Sequence, residues 1–168
     1  MPEQVNKESS PSPVEPDVPA GRLLALDLGA KRVGMAVSDE MQITVRPIEP
    51  LSRTNWKHLL RTVEATLESF DARALVIGLP LRLDGTEGEA AEEARRIARN
   101  FRLSLGLPVY LQDERLTTRA AEEALRAEGY DYEERRGLVD SRSAAIILQD
   151  FIAGRRPINP DAGSTGRI

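Results

Sequence analysis

Residues 74–79, ALVIGL, form an unbroken apolar run of strand length. A strand with one face in water alternates apolar and polar residues, whereas an unbroken run needs cover on both faces. The run therefore reads as a parallel strand inside a sheet. Parallel neighbours are joined by crossovers, usually helices. The sequence supplies helices on either side. Leu59, Leu60, Val63, Leu67 and Phe70 recur at helical spacing over 54–70, and Ala90, Ala94, Ile97, Ala98 and Phe101 do so over 90–103. Asp84-Gly85 marks a turn, Thr86 and Glu89 have the spacing of a capping box before the second helix, and Gly106 stops it.

Upstream, RLLALDL (22–28) and VGMAVS (33–38) flank Gly29-Ala30-Lys31-Arg32, the pattern of a β-hairpin with a glycine in its turn. QITVRP (42–47) is expected as a third strand, ended by Pro47. Downstream, PVYLQ (108–112) reads as a strand. Helices follow over about 118–128, ending at Gly129, and about 139–153, ending at Gly154. The order βββαβαβαα predicts an α/β fold: a mixed sheet, an antiparallel meander followed by parallel strands, with helices on its faces. Residues 1–20 hold five of the eleven prolines and no apolar periodicity, so they read as a disordered tail. Residues 21–154 make one domain, and 155–168 a flexible C-terminal tail.

Composition narrows the chemistry. The chain has no cysteine and one histidine, His58, to which no role is assigned. Disulfide scaffolds, cysteine nucleophiles, thiolate-bound metals and two-histidine sites are excluded. Any catalysis rests on carboxylates, hydroxyls, Lys or Arg. The net charge of −4 gives no overall basic footprint of the kind nucleic-acid binders usually carry. No apolar run has the roughly 18 residues of a membrane span, and the first twenty lack a signal-peptide core. A cytoplasmic protein without a membrane partner is expected.

Three carboxylates stand out by position. In the first strand Leu24, Leu26 and Leu28 share one face, while Leu23, Ala25 and Asp27 share the other. Asp27 thus ends a strand beside small residues, with room for a ligand; a turn-initiating Asp before Gly29 is the alternative. Glu114 follows the strand PVYLQ and lies on the opposite face from Asp113, so at most one of these two joins Asp27. Ordinary strand-end charge is the alternative for both. Asp140 opens the last helix on the stripe of Ala144, Ile147, Leu148 and Phe151, which places it on the sheet side. Its alternative is an N-cap. Together the three lie at the ends of two strands and one helix start. Such carboxylate clusters suit Mg²⁺ or Mn²⁺, and cations of this kind can clamp an in-line phosphodiester displacement.

Four segments in order, ALDLGAKRVGMAVSDE (25–40), VIGLPLRLDGTEGEAA (76–91), LQDERLTT (111–118) and DSRSAAIILQDFI (140–152), resemble the YqgF/RuvX family. The likeness spans roughly 22–153. It implies an RNase H-like fold and a metal-dependent nuclease that matures the 5′ end of precursor 16S rRNA during ribosome biogenesis. Holliday-junction cleavage and a non-catalytic, RNA-binding assembly or transcription factor are the alternatives. By motif, Asp27, Glu114 and Asp140 are the implied catalytic and metal-binding acids, with Mg²⁺ or Mn²⁺ as cofactor. The partners implied are precursor rRNA and ribosomal particles, with structured DNA ranked below them, and the chain is expected as a monomer or weak dimer. Lys31, Arg32, Arg82, Arg115 and Arg142 are the cations expected to touch the nucleic-acid backbone. The chain departs from the family in two places. Ser141 stands where Lys is common, with Arg142 next to it. Ser143 stands where related resolvases carry a further acid. The loop from Pro80 to Gly88 is expected to close over substrate.

Overall fold

The computed structural model describes residues 17–114, 127, 129 and 132–154, with residues 132–140 described by their backbone only. Its elements are β1 (Arg22–Leu28), β2 (Arg32–Ser38), β3 (Val45–Ser52), α1 (Trp56–Phe70), β4 (Ala72–Leu79), α2 (Glu89–Leu105), β5 (Val109–Asp113) and α3 (Tyr132–Ile152). The strands form one sheet in the order β3-β2-β1-β4-β5. β1 pairs antiparallel with β2, and β2 with β3; β4 is parallel to both β1 and β5. The meander and the parallel half fall where the sequence places them.

The apolar run of β4 is central and buried on both faces, as its lack of alternation requires. One face is covered by α1 and α2. Leu24, Leu26, Leu75, Ile77, Leu79 and Leu111 meet Leu59, Val63, Leu67, Ile97 and Phe101 there. Phe101 and Trp56 pack with ring centroids 4.8 Å apart. The other face carries Leu23, Ala25, Ala74, Val76 and Tyr110, covered by Ile147, Leu148 and Phe151 of α3. Helices therefore lie on both faces.

Four expectations change. β3 runs from Val45 to Ser52, through Pro47 and Pro50, rather than ending at Pro47. It is the edge strand, where a missing N–H need not leave a gap in the ladder. The capping box of α2 does not form. Gly88 is the N-cap and supplies no side chain, while Asp84 Oδ1 accepts from Thr86 N at 2.9 Å and Thr86 Oγ1 at 2.6 Å. The Asp84-Gly85 turn thus captures the hydroxyl that would have capped the helix. The last helix begins at Tyr132, seven residues before its expected start. Its first turns, YEERRG, carry no apolar stripe to announce them, although Glu and Arg are good helix formers. Residues 17–20, counted with the N-terminal tail, are held on the domain. Tyr110 Oη donates to Asp17 O at 2.9 Å, Gln42 Nε2 donates to Pro19 O at 2.8 Å, and Val18 packs against the apolar cluster between the sheet and α3. The helix expected over 118–128 and the C-terminal tail 155–168 lie outside the described residues, apart from Ala127, which is helical.

Candidate active site

β1 puts Leu24 and Leu26 into the α1–α2 core and Ala25 under α3, so Asp27 emerges on the α3 face near the strand's end. It is paired with Gly34 on β2. On its other side the parallel register runs Ala25 to Val76 and Leu26 to Ile77. The next step puts Gly78 beside Asp27. Glycines therefore flank the carboxylate on both neighbouring strands.

Glu114 follows β5 directly, and its backbone N–H donates to Leu79 O at 3.1 Å, extending the parallel ladder by one rung. It shares the α3 face with Tyr110 and Gln112. Its carboxyl group meets that of Asp27 in a side-chain hydrogen bond. Burial, first, then the negative charge of Asp27, that hydrogen bond and the charge of Asp113 push the Glu114 carboxyl up to about 10. Two carboxyl groups this close share a proton, because both cannot be charged out of water without a cation between them.

α3 crosses the sheet diagonally. Ser141 Oγ donates to Ile48 O on β3 at 2.6 Å, Ala144 and Ala145 pack on Ala36 of β2, and Phe151 stacks on Tyr110 of β5 with ring centroids 5.2 Å apart. Ile48 is in register with Met35, and Met35 with Leu26, one residue from Asp27. The backbone of Asp140, next to Ser141, is thereby held near the row of Asp27. Asp140 is interior to α3, eight residues beyond its first residue, so it is not an N-cap. Its side chain lies outside the described atoms. Among the described residues, two buried polar atoms on this face lack a hydrogen-bond partner, Gln112 Oε1 and Ser143 Oγ.

The cations are spread. Lys31 is exposed in the β1–β2 turn, and Arg32 opens β2 half-buried. Arg142 is half-buried on α3. Arg115 lies outside the described residues. Arg82 is exposed in the loop between β4 and α2. That loop is braced rather than loose: Leu81 bridges to Glu87, Arg82 N donates to Thr86 O at 2.9 Å, and Arg95 pairs with Glu87 at 2.6 Å.

Two contributors were missed by sequence reasoning. Gly78 lies inside the apolar run, and a glycine in a strand interior is a signal of close approach by another group. Arg53 steadies the β1–β2 turn beside Asp27: its Nη1 donates to Gly29 O at 3.0 Å, its backbone N–H to Lys31 O at 2.9 Å, and its Nη2 pairs with Glu93. Nothing in its local pattern marks it.

The family profile of RuvX, described as Holliday junction resolvase, matches residues 21–154. The chain belongs to the RuvX family. A relative from Syntrophus aciditrophicus, named "Putative pre-16S rRNA nuclease", is 41% identical over 131 residues, covering 78% of this chain and 87% of the relative. A relative of the same name from Geobacillus kaustophilus is 37% identical over 137 residues, covering 80% and 99%. Among solved structures, Thermus thermophilus RuvC in complex with a Holliday junction substrate superimposes with a TM-score of 0.51. The identity is 16%, and the match covers 82% of this chain and 99% of RuvC. At that identity the likeness speaks for the fold, which is the mixed-sheet, RNase H-like fold of the resolvases.

Proposed function

We propose that this RuvX-family chain is a divalent-metal-dependent nuclease that hydrolyses phosphodiester bonds in RNA, at the 5′ end of precursor 16S rRNA, in the cytoplasm. The observation that carries the reading is the hydrogen-bonded pair of Asp27 and Glu114 at the C-terminal ends of β1 and β5, beside glycine. A structural role gains little from two carboxyl groups packed together in a half-buried site, where their mutual repulsion opposes ionisation of both. The names carried by the relatives supply the substrate.

The residues fit a hard cation. The donor set is carboxylate oxygen, the preference of Mg²⁺ and Mn²⁺, and the pair now held by a shared proton is the kind a divalent ion would satisfy. Asp27 and Glu114 would hold it, with Asp140 as the third acid. When bound, such an ion supplies positive charge to the attacking water and the departing oxygen. The chain's own groups orient the scissile phosphate: Lys31 and Arg32 at the β1–β2 turn, Arg142 on α3, Arg115 after Glu114 and Arg82 in the braced loop. None of these reads sequence by this contact, so recognition rests on the shape of the RNA or of a ribosomal particle. The nuclease domain is a single unit over 21–154, with residues 17–20 packed on it.

The test is cleavage of an end-labelled precursor rRNA leader with Mn²⁺, Mg²⁺ or EDTA, beside a four-way DNA junction. Metal-dependent cutting of the RNA, lost in Asp27→Asn, supports the reading. The family's description as Holliday junction resolvase favours a second reading, and preferential cutting of the junction would select it. Binding of RNA with no cutting of either substrate would move the chain to a non-catalytic assembly factor.

A further inference from the structure

Asp27 and Glu114 belong to strands that are not neighbours. β4 lies between β1 and β5, so their backbones are two strand spacings apart, roughly 10 Å. For the two carboxyl groups to meet, the Glu114 side chain must reach across the face of β4. The β4 residue beneath that path is Gly78, in register with Gln112 and one step past the pair Leu26–Ile77. A Cβ added to Gly78 would stand 2.6 Å from Glu114 Oε2 and 2.9 Å from Glu114 Cδ, and 2.6 Å from Ile147 Cδ1 of α3. No side chain fits there without moving one of them. Ile147 of α3 closes the space above Gly78, so a new Cβ has to displace Glu114, Ile147 or both.

We infer that Gly78 is a positioning residue of the site: its missing side chain is the passage through which Glu114 reaches Asp27. This rests on the reading of Asp27 and Glu114 as the reactive pair. It also explains the residue types. A central strand otherwise filled with Ala74, Leu75, Val76, Ile77 and Leu79 gives up a side chain where the acid from the next strand must pass. The acid that makes the crossing is Glu, whose extra methylene provides the reach.

The experiment separates the site effect from packing. Gly78→Ala strikes both Glu114 and Ile147, and Ile147→Val deletes Cδ1, the Ile147 atom nearest the new Cβ. In Gly78→Ala/Ile147→Val, thermal stability should return close to that of Ile147→Val. Mn²⁺ affinity, read by calorimetry on the metal-free protein, should stay down by about 10–100-fold, the range seen when a ligand's supporting partner is lost. In a Glu114→Ala background, adding Gly78→Ala/Ile147→Val should bring no further loss. A crystal structure of the double variant should show Glu114 withdrawn from Asp27. Mn²⁺ affinity equal to that of Ile147→Val, or an equal loss with and without Glu114, would overturn the inference. Wild-type cleavage by Glu114→Ala would instead remove the catalytic reading. The position of Glu114 in the double-variant crystal would then still decide whether Gly78 sets its path.

Discussion

The two faces of the sheet are built from different materials. Under α1 and α2 the strands present Leu24, Leu26, Leu75, Ile77, Leu79 and Leu111, large side chains closed over by Phe101 and its neighbours. Under α3 Leu23, Val76 and Tyr110 are interspersed with the small residues Ala25, Ala36, Ala74, Gly34 and Gly78, met by Ala144 and Ala145 as well as by Ile147, Leu148 and Phe151. Into this thinner layer the fold admits Asp27, Glu114, Gln112 and Ser143. The first face has the composition of a core that supplies stability through apolar burial. The second gives up part of that burial to make room for polar groups at one edge. The prediction is that substitutions on the two faces separate stability from function.

Loss of function is largest at the acids. Asp27→Asn should reduce cleavage by more than the about 10–100-fold that loss of a merely supporting partner brings. The protein should remain folded by circular dichroism, since the change removes a charge from an unfavourable pair. Glu114→Asp sharpens the comparison, because it keeps the charge and removes the reach across β4. Its cleavage rate should fall nearly as far as that of Glu114→Gln, which a role for charge alone does not predict.

Loss of stability is largest on the opposite face. Phe101→Ala should cost about 3–5 kcal/mol in denaturant unfolding, while the folded protein keeps its Mn²⁺ affinity. The pH dependence belongs to the site. The Glu114 carboxyl is raised from 4.5 to about 10 in the folded chain. Between those values the folded form holds a proton that the unfolded form has lost. The contribution is favourable below the unfolded value and is lost as pH rises toward the folded one. The melting temperature of the metal-free protein should therefore fall with rising pH across that window more steeply than in Glu114→Gln. The smallest effect should come from the surface. Arg73→Ala, which removes the exposed pair with Asp71, should cost about 0.2–1 kcal/mol and less at high salt.

How much of this was legible depends on how local the cause is. The hairpin around Gly29, the buried strand ALVIGL and the two apolar helices follow from patterns a few residues long, and the structure has them. β3 was displaced because Pro47 stops a central strand but not an edge strand, and edge position is a property of the whole sheet. The start of α3 leaves no mark in the pattern because a polar helical segment has no apolar stripe, and Thr86 has the spacing of a cap although Asp84 competes for its hydroxyl. At the site, strand parity separates Glu114 from Asp113 but leaves open which of the two joins Asp27. That Asp27 and Glu114 meet over Gly78 needed the strand order, which places β4 between them. The glycine was visible in the sequence, but the side chain that occupies its space was not.

The central claim is that the Asp27–Glu114 pair holds a proton which a divalent cation replaces. Calorimetric titration of Mn²⁺ into the metal-free protein at neutral pH, in two buffers of different ionisation enthalpy, counts the protons released per ion bound. The account predicts that about one proton leaves the wild type, and none leaves Glu114→Gln, because a metal can bind only the deprotonated carboxylate. Binding with no proton release, or an equal release from Glu114→Gln, would contradict it.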